Sequence, residues 1–195
     1  AEDLIELINH PRVLGLGELM DFENVINCEK TIINKIVLCQ NSGKVVDGHG
    51  PGLSGRDINA YAASGVRTEH ECTTPEEAVE RLRLMLREGS AAKNLVDLLP
   101  ALNSSSINRC MFCTDDRHPE DILKHGHIDN NVRLAIKNGV DPVTAIQMAT
   151  INVGRCYNLH RVGGIAPGYK ADLLILNDLE NIEIYQVYKN GRLIA

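Results

Sequence analysis

Short apolar runs alternate with amphipathic stretches along this chain. Residues 13–19, 45–49, 66–70 and 109–114 read as strands bounded by Gly, Pro, Asp and Ser. Between them, Val25, Ile26, Ile32, Ile33, Ile36 and Val37 form a broad stripe at helical spacing, predicting a helix over 23–40 that ends near Ser42-Gly43. A helix is also expected across the first ten residues, from Leu4, Ile5, Leu7 and Ile8, and another over 57–64, closed by Gly65. Thr74-Pro75-Glu76-Glu77 has the N-cap, first-turn proline and third-position glutamate of a capping box, predicting a helix through Arg87 that stops at Gly89. A brief strand at 90–92 and a helix at 95–102 follow. Further helices are expected at 119–124, 128–137 and 142–157, the last capped by Asp141-Pro142. Strands alternating with helices predict an α/β fold with a parallel sheet and helical crossovers.

From Gly163 the pattern changes. Residues 173–176 and 182–188 read as strands, and Asn190-Gly191 is the signature of a tight type I′ hairpin turn. Two regions are therefore expected: 1–162, and a run of antiparallel strands over 163–195.

Composition narrows the function classes. The chain has 195 residues, 44% of them hydrophobic and 24% charged, within the range of soluble globular proteins. A net charge of −6, scattered basic residues, no Trp and only two Phe speak against a nucleic-acid partner. No apolar run is long enough to cross a bilayer and no signal-peptide series is present, so a cytoplasmic location is expected. The six cysteines lack the density of a disulfide scaffold and are expected to be reduced and mostly buried. The chain opens on Ala1, not Met, within a helix-like pattern, which suggests a start inside a larger gene product.

Glu18, His49, His70 and Asp115 each fall at or just past the end of a predicted strand. In a barrel of alternating strands and helices, active sites assemble on that face. Singly, each has a bland reading as a solvated or hydrogen-bonded polar residue. As a set, imidazoles and carboxylates suit Zn, Mn or Fe, and a carboxylate can bridge two such ions. Asp115 and Asp116 should point to opposite faces if the strand persists, one meeting metal and water and the other substrate; a turn or cap would explain only one of them. Cys110-Met111-Phe112-Cys113 is a lone CxxC without a second ligand pair, and the H-x-E…P-C-x-x-C signature of zinc-dependent nucleobase deaminases is absent. Neither the glycine-rich phosphate loops nor G-x-S-x-G is present.

Gly15-Leu16-Gly17-Glu18-Leu19-Met20-Asp21-Phe22, Asp47-Gly48-His49-Gly50-Pro51-Gly52 and Glu69-His70-Glu71-Cys72-Thr73-Thr74 resemble, in order, segments of bacterial and archaeal adenine deaminases of the amidohydrolase superfamily. The resemblance continues through Arg87–Asn94, Phe112–Asp121 and Gly126–Asp129; the stretch Gly164–Leu173 is shared more broadly by amidohydrolases. It implies part of a TIM-like (β/α)8 barrel, strands 4 to 8 with their helices, over 1–162, and strands of a flanking β-sandwich over 163–195. It further implies a site of two divalent transition-metal ions (Mn, Fe or Zn), with Glu18 bridging, His49 and His70 as ligands, and Asp115 as metal-linked acid/base. By the same analogy Glu71 transfers protons near the ring nitrogen and Asp116 contacts the purine. The implied reaction is hydrolytic deamination of adenine to hypoxanthine and ammonia by a metal-bound hydroxide, in an enzyme expected to be a homo-oligomer at full length. The family's H-x-H pair after its first strand has no counterpart; the one such spacing, His125-Gly126-His127, follows the last barrel strand. Activity is therefore expected of a longer chain. The alternatives are an amidohydrolase acting on another cyclic amidine or amide, and a non-catalytic remnant.

Overall fold

Gly15–Leu19 forms β1 and Val45–Gly48 forms β2, which pair in parallel with Gly15 opposite Val45 and Leu19 opposite Gly48. These are helices and strands of a computed structural model, which describes residues 2–195. The chain divides into two compact units. One runs to Met85 and takes back Cys156–Asn158; the other comprises Leu86–Arg155 and Leu159–Ala195.

In the first unit, Ile5–Asn9 is α1, Phe22–Ile26 is α2, Lys30–Asn41 is α3, Gly55–Ala63 is α4 and Pro75–Val79 is α5. The core collects Ile8, Leu19, Val25, Ile32, Ile36, Cys39, Val46, Leu53, Ile58, Tyr61 and Val66, the faces that the helical and strand periodicities bury. The single helix expected over 23–40 is broken between α2 and α3. Cys28 takes a left-handed backbone (φ 55), and the Glu29 carboxylate accepts the N–H groups of Thr31 and Ile32, so a fresh helix starts there. The strand expected over 66–70 is extended chain rather than a regular ladder. It bridges β2 through Val66 and Val46, and residue 84 through Glu69.

The capping box at Thr74 is present, but the helix through Arg87 is not. α5 ends at Val79, and Leu84–Arg87 is a strand, β3, buried along its whole length. The reason is visible in Leu82, Leu84 and Leu86. They alternate with Arg83, Met85 and Arg87 at the period of a strand, and tertiary burial on both sides decides for it.

In the second unit, Leu95–Leu98 is α6, Cys110–Cys113 is β4, Pro119–His125 is α7, Ile128–Lys137 is α8, Pro142–Ala149 is α9 and Ile151–Cys156 is α10. β4 pairs with β3. The strand expected at 90–92 is instead a loop, closed by a bridge between Glu88 and Lys93. α8 and α9 pack on β4, burying Met111, Phe112, Val132, Ala135, Ala145 and Met148. Asn131 donates to the Cys113 carbonyl (2.8 Å), and Asn152 donates to those of Ile107 and Cys110 (2.9 and 2.8 Å), so amide side chains tie off both ends of β4. The helix expected over 142–157 is two helices that part at Thr150, whose backbone leaves the helical region (φ −130, ψ −89).

Leu173–Leu176, Ile184–Lys189 and Arg192–Leu193 are β5, β6 and β7, an antiparallel sheet. Asn190 and Gly191 both have positive φ (50 and 76), as a type I′ turn requires.

Asp129, at the start of α8, accepts the His127 N–H (2.7 Å) and the Arg133 guanidinium (2.6 Å). Partial burial opposes its charge, but Arg133 and that N–H together outweigh it and hold the carboxyl below the usual range. An acid with a lowered folded pKa stabilises above its unfolded pKa, and this contribution is lost as pH falls through the folded value. Asp129→Asn is therefore expected to unfold at a lower temperature than the unaltered protein at neutral pH, with the gap closing below about pH 4. Thermal unfolding across pH checks this, and a gap independent of pH would exclude it.

Cys28 is exposed and Cys113 half-buried, while Cys39, Cys72, Cys110 and Cys156 are buried. Burial pushes up the thiol pKa of each of these four, to about 11 for Cys110 and Cys156.

Candidate metal centre

Two parallel strands deliver their carboxyl ends to the same edge, and this is what brings distant residues together in the first unit. Glu18 lies in β1 one residue before its end, and His49 immediately follows β2. His70 and Glu71 follow the extended segment that bridges β2 at Val66. A Glu18 carboxylate oxygen contacts Nδ1 of His49 and lies 3.1 Å from Nε2 of His70. Glu71 completes the group, 3.6 Å from His49 Nδ1 and 3.3 Å from His70 Nε2. The two rings stand edge to face, with centroids 5.7 Å apart.

One ligand atom from each of the four side chains lies within 4.8 Å of the others. His70 is the most enclosed, with 10% of its side chain exposed, and Glu18 the least, with 34%. Two imidazoles and two carboxylates fit a divalent transition ion, being the nitrogen and oxygen donors that Zn, Mn and Fe accept. Three of these residues, Glu18, His49 and His70, were expected as ligands from their strand-end positions. Glu71, expected as a proton carrier, stands equally within ligand reach.

The supporting residues were not expected. Tyr61 is fully buried beneath the site on α4. Its hydroxyl donates to the Leu19 carbonyl (2.6 Å) and accepts from the His49 N–H (3.0 Å), pinning the end of β1 to the start of the His49 loop. Burial raises the phenol to about 12. Tyr61→Phe keeps the ring and leaves two buried polar groups unpaired, so a loss of about 1–3 kcal/mol is expected in urea unfolding. A change below a few tenths would show that water replaces the hydroxyl.

Asp47, two residues before His49, accepts from Thr68 Oγ1 (2.8 Å) and from the Tyr157 hydroxyl (3.0 Å to each oxygen). Burial pushes its pKa up, and the two hydroxyl donors only partly oppose the shift. The period of two along β2 was the available signal, since it places Asp47 and His49 on one side.

The two aspartates after β4 belong to the second unit, and they do take different partners. Asp115 has a left-handed backbone (φ 53), is exposed, and accepts from Arg87 Nη1 (2.7 Å). Asp116 is turned toward the loop at 89–92. One of its oxygens accepts the Ser90 N–H (3.1 Å), and the other accepts those of Ala91 and Ala92 (2.8 and 3.3 Å). Partial burial works against the Asp116 charge, but these N–H donors together prevail and lower its pKa. Gly89 is required here, because a Cβ would lie 1.7 Å from Asp116 Oδ1. Arg117 holds the same region by donating to the carbonyls of Glu88 and Gly89 (3.3 and 3.4 Å).

The chain is 53% identical, over its whole length, to adenine deaminase 2 of Carboxydothermus hydrogenoformans, of which it spans 35%. It is 50% identical, again over its whole length, to adenine deaminase of Clostridium acetobutylicum, spanning 35% of that protein. The chain thus covers about a third of these curated relatives. Among solved structures, β-aspartyl dipeptidase from Fervidobacterium islandicum AW-1 superposes with a TM-score of 0.68 at 17% identity, over 97% of this chain and 60% of that one. An enamidase superposes with a TM-score of 0.63 at 18% identity, over 88% of this chain and 51% of that one. At such identities these two show the fold alone, that of amidohydrolases. Residues 84–194 match the Amidohydrolase family, more than half of the sequence, and the chain belongs to that family.

Proposed function

We propose that this chain is an internal portion of an adenine deaminase, and that the complete protein converts adenine and water to hypoxanthine and ammonia. The observation that carries this reading is the convergence of Glu18, His49, His70 and Glu71 in a chain 53% identical to an adenine deaminase. On this reading residues 1–162 contribute strands 4 to 8 of a (β/α)8 barrel, and 163–195 contribute strands of a flanking sandwich. A cytoplasmic location, a role in purine salvage and a homo-oligomer at full length go with it and rest on the resemblance.

Glu18, His49 and His70 would hold two divalent transition ions, such as Mn, Fe or Zn, with Asp115 as a further ligand. Bound there, such ions supply Lewis acidity that brings the pKa of water toward neutrality. Asp115 then takes the proton of the attacking water as general base. Glu71 would deliver a proton at a purine ring nitrogen, making C6 electrophilic; the proton held by Asp115 would pass to the amino group as the C6–N bond breaks and ammonia leaves, and the new hydroxyl would return its proton to Glu71. Asp116 was expected to contact the purine itself. Its oxygens also hold the backbone of 90–92, and Asp116 stays the candidate for that contact.

Full-length protein loaded with Mn2+ should release ammonia from adenine and yield hypoxanthine, with guanine, cytosine and dihydroorotate run alongside. Turnover of one of the others, and none of adenine, would move the assignment to another cyclic amidine or amide. Turnover of none would favour a non-catalytic remnant.

A further inference from the structure

Glu69 sits one residue before His70, and its side chain faces away from the metal centre into the core, with 4% of it exposed. Its backbone joins the chain at residue 84: its N–H donates to the Arg83 carbonyl (3.1 Å) and its carbonyl accepts from Met85 (2.8 Å). The carboxylate gathers donors from two loops. Oε1 accepts the N–H of Glu71 (2.6 Å) and that of Gly50 (3.5 Å). Oε2 accepts the N–H and the thiol of Cys72 (3.1 and 2.8 Å). The peptide groups that directly follow His49, His70 and Glu71 therefore all aim their N–H at one buried carboxylate. Arg81, with 1% of its side chain exposed, supplies the countercharge through Nε (3.4 Å from Oε2) and ties itself to the Leu53 carbonyl through Nη1 (2.8 Å).

We propose that Glu69 is a positioning residue of the metal centre, fixing the His49 and His70-Glu71 loops in one register so that their side chains converge. The inference rests on the metal-centre reading given above. Only a carboxylate meets the geometry, because every donor here is an N–H, a thiol or a guanidinium and both oxygens are needed. An amide has one oxygen, and its NH2 would confront either Gly50 and Glu71 or Cys72 and Arg81.

The test uses full-length protein and Mn2+ affinity, read by competition with a chelating dye. Glu69→Gln is expected to weaken Mn2+ binding by at least about tenfold, the size of effect seen when partners behind metal ligands are changed. Ile36→Ala removes core volume in the same unit, away from the ligand loops, and is expected to lose stability while keeping its Mn2+ affinity. Equal affinity in Glu69→Gln and unaltered protein, or an equal loss in Ile36→Ala, overturns the proposal. Should Glu69→Gln not fold, amide hydrogen exchange on the unaltered protein decides. The amides of Gly50, Glu71 and Cys72 are expected to slow together when Mn2+ is added, and free exchange of any one of them with Mn2+ bound overturns the proposal. Failure of the unaltered protein to bind Mn2+ would sink the metal centre itself, an outcome distinct from a bound ion indifferent to Glu69.

Discussion

His70→Ala in the full-length protein is expected to lower kcat/KM for adenine by about three orders of magnitude, equivalent to ~4 kcal/mol of transition-state stabilisation. Its Nε2 lies between both carboxylates, 3.1 Å from Glu18 and 3.3 Å from Glu71, and it is the most enclosed of the four side chains. Alanine leaves two anionic groups facing one another with one imidazole nitrogen, from His49, between them. Bound metal should fall in parallel when measured after dialysis. The fold should persist, because the ring is not part of the apolar core and the backbone around it is held by Glu69. Retention of full activity with the ring removed would place the chemistry elsewhere.

Arg81→Met should cost about 3–5 kcal/mol of folding stability, the range for stripping one partner from a buried ion pair. The methionine chain replaces much of the arginine stem, so packing is largely kept. What is lost is the countercharge to Glu69, whose side chain is only 4% exposed. The three N–H groups that Glu69 accepts offset part of the charge and place the expected loss toward the lower end. Replacing both residues, Glu69→Leu with Arg81→Met, should not recover that stability, because the apolar pair leaves the buried N–H groups of Gly50, Glu71 and Cys72 unpaired. It should not restore metal affinity, because no acceptor remains for the loop amides. Urea unfolding of the single and double variants checks this, and a single-variant loss under about 1 kcal/mol would show that water reaches Glu69.

Much of the framework could be read from periodicity. β1, β2, β4 and α8 emerged close to their expected bounds, because a strand in a buried sheet and a strongly amphipathic helix each write their period into the sequence. The segment after Thr74 was misread for an equally physical reason. A genuine capping box started a helix, and nothing local announces that it ends after Val79 in favour of the alternating strand at Leu84–Arg87. Helix breaks at Cys28 and Thr150 likewise depend on competing caps and single backbone angles.

In the candidate site, the convergence of Glu18, His49 and His70 was legible because strand ends are where such side chains gather. Tyr61, Glu69 and Arg81 were not. Each acts across loops that become neighbours only when the chain is folded, and in sequence each looks like an ordinary member of a helix or strand pattern. The hold of Asp116 on the backbone of 90–92 was not legible either, since that loop meets it only in the fold.

The distribution of thiols gives the molecule internal clocks. Cys28 is open to modifying reagents at once, whereas Cys39, Cys72 and Cys156 in one unit and Cys110 in the other must wait for an opening event. The delay before each sulfur is consumed by such a reagent would time the breathing of each unit separately, under native conditions and with no label built into the protein.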